Sequence, residues 1–264
     1  MYTGILEKMQ TKFDEPIEYS LLLNQQKIDL NLLIGANLKL TYLNEIRCLG
    51  CGKKTAKSFS QGYCYNCFVS LPETDECILK PELCRAHEGI SRDMKWSESH
   101  CLQEHFVYLA ISSGLKVGVT RSSQIPTRWI DQGASKAIKL AKTPNRYTAG
   151  IIEVELKKNF SDKTSWQKML KNEIDPEDLL IAKEKAANLL PEDLKKFVIA
   201  DNTLWEFEYP VLEFPDKVQA QSFDNQTEIS GTLLGIKGQY LMFDKGRVVN
   251  IRKHSGYKIK LEIG

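Results

Sequence analysis

Two cysteine pairs, Cys48-Leu49-Gly50-Cys51 and Cys64-Tyr65-Asn66-Cys67, constrain this chain more than any other feature. A two-residue gap lets both sulfurs of a pair turn toward one point, and the twelve residues between the pairs suffice for a hairpin that unites them. Four thiolates in a tetrahedron are what Zn²⁺ takes in a structural site, and so closed a shell leaves no position for a reacting water. Gly50 and Gly52 flank Cys51 and give the backbone the freedom a knuckle around a metal-bound sulfur needs. A redox dithiol or an iron–sulfur cluster uses the same residue type, but the paired spacing favours structural Zn²⁺.

The 264 residues are enough for one large or two ordinary domains. Hydrophobic content of 42% with 27% charged residues is that of a soluble globular protein. No apolar run approaches the length of a membrane span, and Met1-Tyr2-Thr3-Gly4-Ile5-Leu6-Glu7-Lys8 lacks the basic-then-apolar order of a signal peptide. The expected setting is therefore the cytoplasm, without membrane contact. Seven cysteines then read as metal ligands and free thiols, not as disulfides.

The net charge of +2 conceals a segregation. Phe106 to Lys158 carries nine Lys/Arg against three Asp/Glu, and Lys245 to Lys260 carries six basic residues and no acidic one. Lys171 to Lys195 carries seven acidic residues and four basic ones. Two basic patches separated by an acidic stretch predict a partner with a negative surface, nucleic acid first, although solvated faces show such unevenness too.

Cys77, Cys84, His87, His100, Cys101 and His105 form a second, looser cluster. Cys84 and His87 have a usable two-residue gap, and Cys101 and His105 share one helical face at i,i+4. Cys77, Cys84 and Cys101 with His87 or His105 would make a chemically sound metal site. Simple burial of free thiols is the other reading.

Short apolar or alternating runs at Leu21–Leu23, Ile28–Leu33 and Leu38–Tyr42 predict strands before the first cysteines. Phe106–Ala110 and Leu115–Thr120 read as a hairpin turning at Ser112-Ser113-Gly114. A helix is expected from Pro126 to Gly133, then a third strand at Ala137–Ala141. Thr143-Pro144 reads as the next helix start, while Ile151–Leu156 alternates like a strand, so that segment stays ambiguous. Helices should also begin at Asp175-Pro176 and at Pro191. From Trp205 onward strand-type residues return, at Gly231–Gly238, Tyr240–Phe243, Val248–Ile251 and Tyr257–Ile263.

The stretch from Phe106 to Lys158 resembles the GIY-YIG nuclease family in order and spacing. Phe106-Val107-Tyr108 and Lys116-Val117-Gly118 stand at its two strand motifs, Arg128 at its helix arginine, and Ala149 and Glu153 at its Ala-x-x-x-Glu pattern. That match favours helix for Ile151–Leu156. Over nearly its whole length, with the two cysteine pairs, then Cys77, Cys84 and Cys101 ahead of this core, the chain resembles an uncharacterised bacterial family, domain of unknown function 2797.

The resemblance implies roles. Glu153 would hold a divalent cation such as Mg²⁺ or Mn²⁺, Arg128 would contact the phosphate, and Tyr108 would position water or act as general base. Lys116 stands where the second motif has tyrosine and Gln132 where many members have histidine, so the family's tyrosine pair is incomplete. The same residues also read as a strand aromatic, a surface base and an exposed helical carboxylate.

The expected architecture is α+β in four parts. These are an N-terminal β region over 1–47, a Cys/His module over 48–105, a three-stranded mixed GIY-YIG-like core with its following helices over 106–200, and a basic β module over 201–264. The chain ends are expected to pair into a small barrel or curled sheet. Tyr240 and Tyr257 would stack bases while Arg121, Arg252 and Lys253 hold phosphates. The function expected is a zinc-containing nucleic-acid-binding protein, acting as a metal-dependent nuclease or as a non-catalytic adaptor for RNA or a nucleoprotein. A protein-interaction scaffold is the third class.

Overall fold

In the computed structural model, which describes residues 1–160 and 164–264, the two ends of the chain build one sheet. Its order is Tyr2–Ile5, Tyr257–Ile263, Asn37–Arg47, Glu228–Lys237, Tyr240–Phe243, Arg247–Asn250 and Gln219–Gln221, with Lys54–Thr55 added beside Asn37–Arg47. Leu40 faces Ile229 on one side and Leu261 on the other, and all three are buried. The period-2 alternation of these strands thus fills one face with apolar side chains. The pairing of the ends matches expectation, but the sheet is open. Its edge strands, Tyr2–Ile5 and Gln219–Gln221, lie at opposite ends of the order and do not meet to close a barrel.

The middle of the chain forms a second sheet, ordered Leu204–Glu206, Lys136–Thr143, His105–Ile111 and Leu115–Arg121. Every pairing in it is antiparallel, so the expected mixed core is neither mixed nor three-stranded, because Leu204–Glu206 returns to extend it. All seven residues of His105–Ile111 are buried, since both faces are covered. Val107, Leu109 and Ile111 pack toward the helices Arg146–Lys157 and Leu179–Leu189, while Tyr108 and Ala110 join the large core with Trp129.

Ile151–Leu156 is helical, within Arg146–Lys157. Asn145, not Thr143, caps that helix, its side-chain oxygen accepting from the Thr148 N–H at 2.9 Å. Thr143 instead ends the preceding strand, opposite His105. Such a cap is worth ~1 kcal/mol. The helix expected from Pro126 is the single turn Thr127–Asp131, and Gly133 beyond it takes φ +69°. Among the described residues no helix is long and apolar enough to cross a membrane.

Between the sheets, residues 64–104 are short turns and two small helices, Tyr65–Ser70 and Met94–His100. The turn Pro81–Leu83 lies directly on the Arg146–Lys157 helix at Gly150. A Cβ there would sit 2.2 Å from the Glu82 nitrogen and 2.4 Å from the Pro81 carbonyl carbon. Only glycine permits so close an approach of backbone to helix.

Candidate metal centres and a basic pocket

The first cysteine pair leaves the end of the Asn37–Arg47 strand. The Gly52 N–H donates to the Cys48 carbonyl at 2.8 Å, and Gly52 takes φ +70° to close the knuckle. In the second pair Cys64 precedes the Tyr65–Ser70 helix and Cys67 lies on it, and the Phe68 N–H donates to the Cys64 carbonyl. The Leu49 N–H donates to the Gly62 carbonyl at 2.8 Å and joins the two knuckles. All four sulfurs lie within 4.8 Å of one another, and Cys51 and Cys64 Sγ are 3.9 Å apart. A zinc tetrahedron with Zn–S of about 2.3 Å sets its sulfurs about 3.8 Å apart, so the donor set fits Zn²⁺. Burial works against a Cys48 thiolate, yet backbone N–H donors from Cys64, Cys51 and Gly50 and the Cys67 thiol bring its pKa down to about 6.

The second centre has three sulfurs. Cys77 sits in the turn Glu76–Ile78, Cys84 follows Pro81–Leu83, and Cys101 ends the Met94–His100 helix. Their Sγ atoms all lie within 4.8 Å of one another, and all three residues are buried. The Cys77 and Cys84 thiols donate toward Cys101, which pulls the Cys101 pKa far down and pushes theirs up.

Neither expected histidine joins them. The His87 ring stacks on Tyr147 with centroids 4.3 Å apart. His105 opens a strand and its Nδ1 lies 2.7 Å from the Gln103 carbonyl oxygen, which makes Nδ1 the protonated nitrogen. Burial lowers the His105 pKa to about 4, and its Nε2 is buried without a partner. His100 stacks on Trp96. Among the described residues the converging metal-donor groups are these two cysteine sets. Among the described residues no such group of three or more metal-donor side chains includes Glu153 for Mg²⁺ or Mn²⁺.

Arg146 links this centre to a basic pocket. It is 7% exposed, its Nη1 donates to the Cys77 carbonyl at 3.2 Å and stands 4.0 Å from Cys77 Sγ, and its buried Nε has no partner. The pocket, about 170 Å³, is lined by Arg121, Arg128, Arg146, His105, Thr120 and Gln124 among others. The arginines that carry ion pairs among the described residues are Arg47, Arg85, Arg92 and Arg247, none of which lines it. Burial and the neighbouring Arg146 charge both lower the Arg121 pKa. Arg252 arrives from the large sheet. Burial lowers its pKa, which also senses the charges of Asp131 and Arg128. The two basic patches of the sequence therefore approach each other at Arg128 and Arg252.

Of the nuclease-like residues, Tyr108, Arg128 and Glu153 lie near enough for their charges to act on one another, while Lys116 lies elsewhere. Tyr108 is 1% exposed, and its hydroxyl donates to Gln132 Oε1 at 2.9 Å. Its ring lies across Gly118, where a Cβ would be 2.5 Å from the hydroxyl oxygen, so the glycine of the second motif makes room for the tyrosine of the first. Burial raises the Tyr108 pKa, against the effect of Arg128. Glu153 is buried with a raised pKa and pairs with Lys157 at 3.1 Å. The charges of Arg128 and Glu153 both act on Tyr108, but of the three only Arg128 lines the basic pocket. Lys116 lines a different cavity, with Ser112, Gln132 and Tyr240.

The expected base-stacking surface is largely taken. Tyr257 is buried, and its hydroxyl donates to Asp224 at 2.6 Å, so its ring has no free face for a base. Tyr240 is half-buried and stacks on Trp166 at 5.6 Å. Lys253 is exposed but paired with Asp224 at 3.1 Å. Lys237, within the strand-type segment Gly231–Gly238, is 1% exposed and donates to Asn172 at 2.9 Å.

Sequence reasoning missed Arg146. Its signal was electrostatic. An arginine in the first turn of a helix opposes the helix dipole, and such a placement asks for an anionic partner.

An α+β chain with two thiol centres, one of them joined to a basic pocket through Arg146, belongs to no activity class by geometry alone, and comparison places it only by family. The family described as "Protein of unknown function (DUF2797)" matches residues 35–259, and the chain belongs to it. No curated protein and no solved structure matches the chain.

Proposed function

We propose that this protein binds the phosphate backbone of a nucleic acid without cleaving it, as a zinc-stabilised adaptor whose centre is a GIY-YIG-like core. The observation that carries the reading is the row of arginines, Arg146, Arg121, Arg128 and Arg252, none of which is in an ion pair with a described carboxylate. Arg146 is buried and the other three are half-buried. Guanidinium groups held this way without a carboxylate at salt-bridge distance favour an anion from outside, and a fork of N–H donors suits phosphate. The strand order Leu115–Arg121, His105–Ile111, Lys136–Thr143, with a helical turn before the third strand and a helix after it, supports the core assignment. Three features argue against cleavage. The Tyr108 hydroxyl is engaged by Gln132, Glu153 is engaged by Lys157, and Pro81–Leu83 lies on the helix that carries Glu153.

The test is fluorescence anisotropy with single-stranded and duplex oligonucleotides of DNA and RNA across a salt series. Affinity should fall linearly in log K against log salt through counterion release. Arg121→Ala, Arg128→Ala and Arg252→Ala should each flatten that slope by about one, uniformly across sequences. Absence of binding to every oligonucleotide at low salt would sink the reading. Mg²⁺- or Mn²⁺-dependent cleavage that disappears in Glu153→Ala would replace the adaptor with a nuclease.

A further inference from the structure

We infer that a metal at Cys77, Cys84 and Cys101 keeps its fourth position for a ligand from solution, a low-molecular-weight thiol bound as thiolate. The inference does not depend on nucleic-acid binding. Three sulfurs converge there, and no histidine, carboxylate or fourth cysteine among the described residues joins them. A cavity of about 320 Å³ opens on all three cysteines, with Ala86, Ile90, Trp96, Ser97, Asp75 and Arg92 in its wall. The first centre, with four sulfurs, is closed by its own ligands. Three protein ligands beside a cavity is how a zinc site with an exchangeable position is built.

The chemistry of the walls selects the ligand. Three thiolates make the donor set soft, and a fourth sulfur matches it better than a carboxylate. Zn²⁺ with three thiolates carries one negative charge, and a fourth thiolate makes two. Arg146, 4.0 Å from Cys77 Sγ, lies beside that charge. The cationic groups on the cavity side are already neutralised, Arg92 by Asp75 at 3.1 Å and Arg85 by Glu88 at 2.7 Å. An anionic tail on the ligand therefore finds no partner there. Ile90, half-exposed at the mouth, and Trp96 suit a short apolar body. In the exchange the bound water leaves, the thiol proton passes to solvent, and a Zn–S bond forms. Nothing is oxidised or reduced.

The experiment is zinc X-ray absorption on the full chain with both centres loaded, prepared without added thiol and then titrated with 2-mercaptoethanol. Seven cysteines over two metals give 7/2, an average of 3.5 sulfurs per zinc. That average should rise to 4 as the thiol saturates, since 8/2 sulfurs then surround the two metals. Cobalt-substituted protein should show the same titration as added thiolate-to-metal charge transfer, by about one part in seven. Ile90→Trp narrows the mouth from a half-exposed position, so it should fold, keep both metals and lose the response. An average that stays at 3.5 with thiol present overturns the proposal. A cobalt spectrum that ignores thiol but changes in His105→Ala also overturns it, and assigns the fourth position to the orphaned His105 Nε2.

Discussion

Gly150→Ala is the sharpest probe of how the cysteine-bearing turns are held. The added methyl would lie 2.2 Å from the Glu82 nitrogen, 2.4 Å from the Pro81 carbonyl carbon and 2.8 Å from Glu82 Cα. Real Cβ contacts do not fall below 3.0 Å, so turn and helix must separate by at least 0.8 Å (3.0 − 2.2). All three obstructing atoms are backbone, and no rotamer can give way. Overpacking of this kind costs about 1–3 kcal/mol, while alanine returns ~1 kcal/mol of helix propensity over glycine. The expected net loss is up to about 2 kcal/mol, or a melting temperature lower by up to roughly 8 °C for a chain of this size. Calorimetry on zinc-loaded protein measures the shift. Cys77 and Cys84 flank the displaced turn, so the variant should also release zinc faster to a chromogenic chelator, and from one centre of the two. A variant equally or more stable, with unchanged zinc release, would refute the claim that this contact seats the module.

Two further outcomes follow from single environments. Cys51→Ser/Cys64→Ser should lose one zinc equivalent by elemental analysis and unfold the hairpin around it, because a structural zinc site supplies on the order of 10 kcal/mol of folding free energy. Full retention of zinc would displace the assignment. Burial holds the Lys237 pKa down to about 8, against 10.5 for a solvated lysine. Between those values the unfolded chain binds more protons than the native one, so stability should rise with pH from about 8 to 10.5, by at most about 3 kcal/mol. Lys237→Met should flatten that rise in urea melts, and an unchanged pH profile would show that Lys237 is solvated.

What could be read from the sequence was local. The cysteine pairs, the hairpin at Ser112-Ser113-Gly114 and the Tyr257–Ile263 strand are set by spacing and by alternation within a few residues. Ile151–Leu156 alternates like a strand, yet the Asn145 cap and the burial of Ala149, Ile152 and Leu156 along one helical face make it a helix. Contacts between distant segments left no such trace. Gly150 looks like a weak point in a helix until Pro81–Leu83 arrives, some seventy residues earlier in the chain. Lys237 and Tyr257 have the composition of a binding surface, but the first lies over the rings of Tyr209 and Phe214 and the second is held by Asp224. The aromatic and basic residues that composition assigns to a partner are here partly consumed by the fold itself.

Arg146 shows why the metal centre and the basic pocket cannot be treated as separate designs. It stands at the first position of the Arg146–Lys157 helix, where the dipole disfavours a cation by ~0.3–1 kcal/mol. Its Nη1 reaches the Cys77 carbonyl, its Nη2 the His100 carbonyl, and its Nε is left over beside the pocket. One guanidinium therefore braces two of the turns that carry the three cysteines and also lines the basic pocket. Removing it would disturb metal retention and anion binding together, and a loss of nucleic-acid affinity in Arg146→Ala would not say which had failed. Among the described residues the hydrogen bonds from arginine to the Cys77 and His100 carbonyls come from Arg146, so a change of salt slope in Arg121, Arg128 or Arg252 variants, with zinc content unchanged, reports on the pocket.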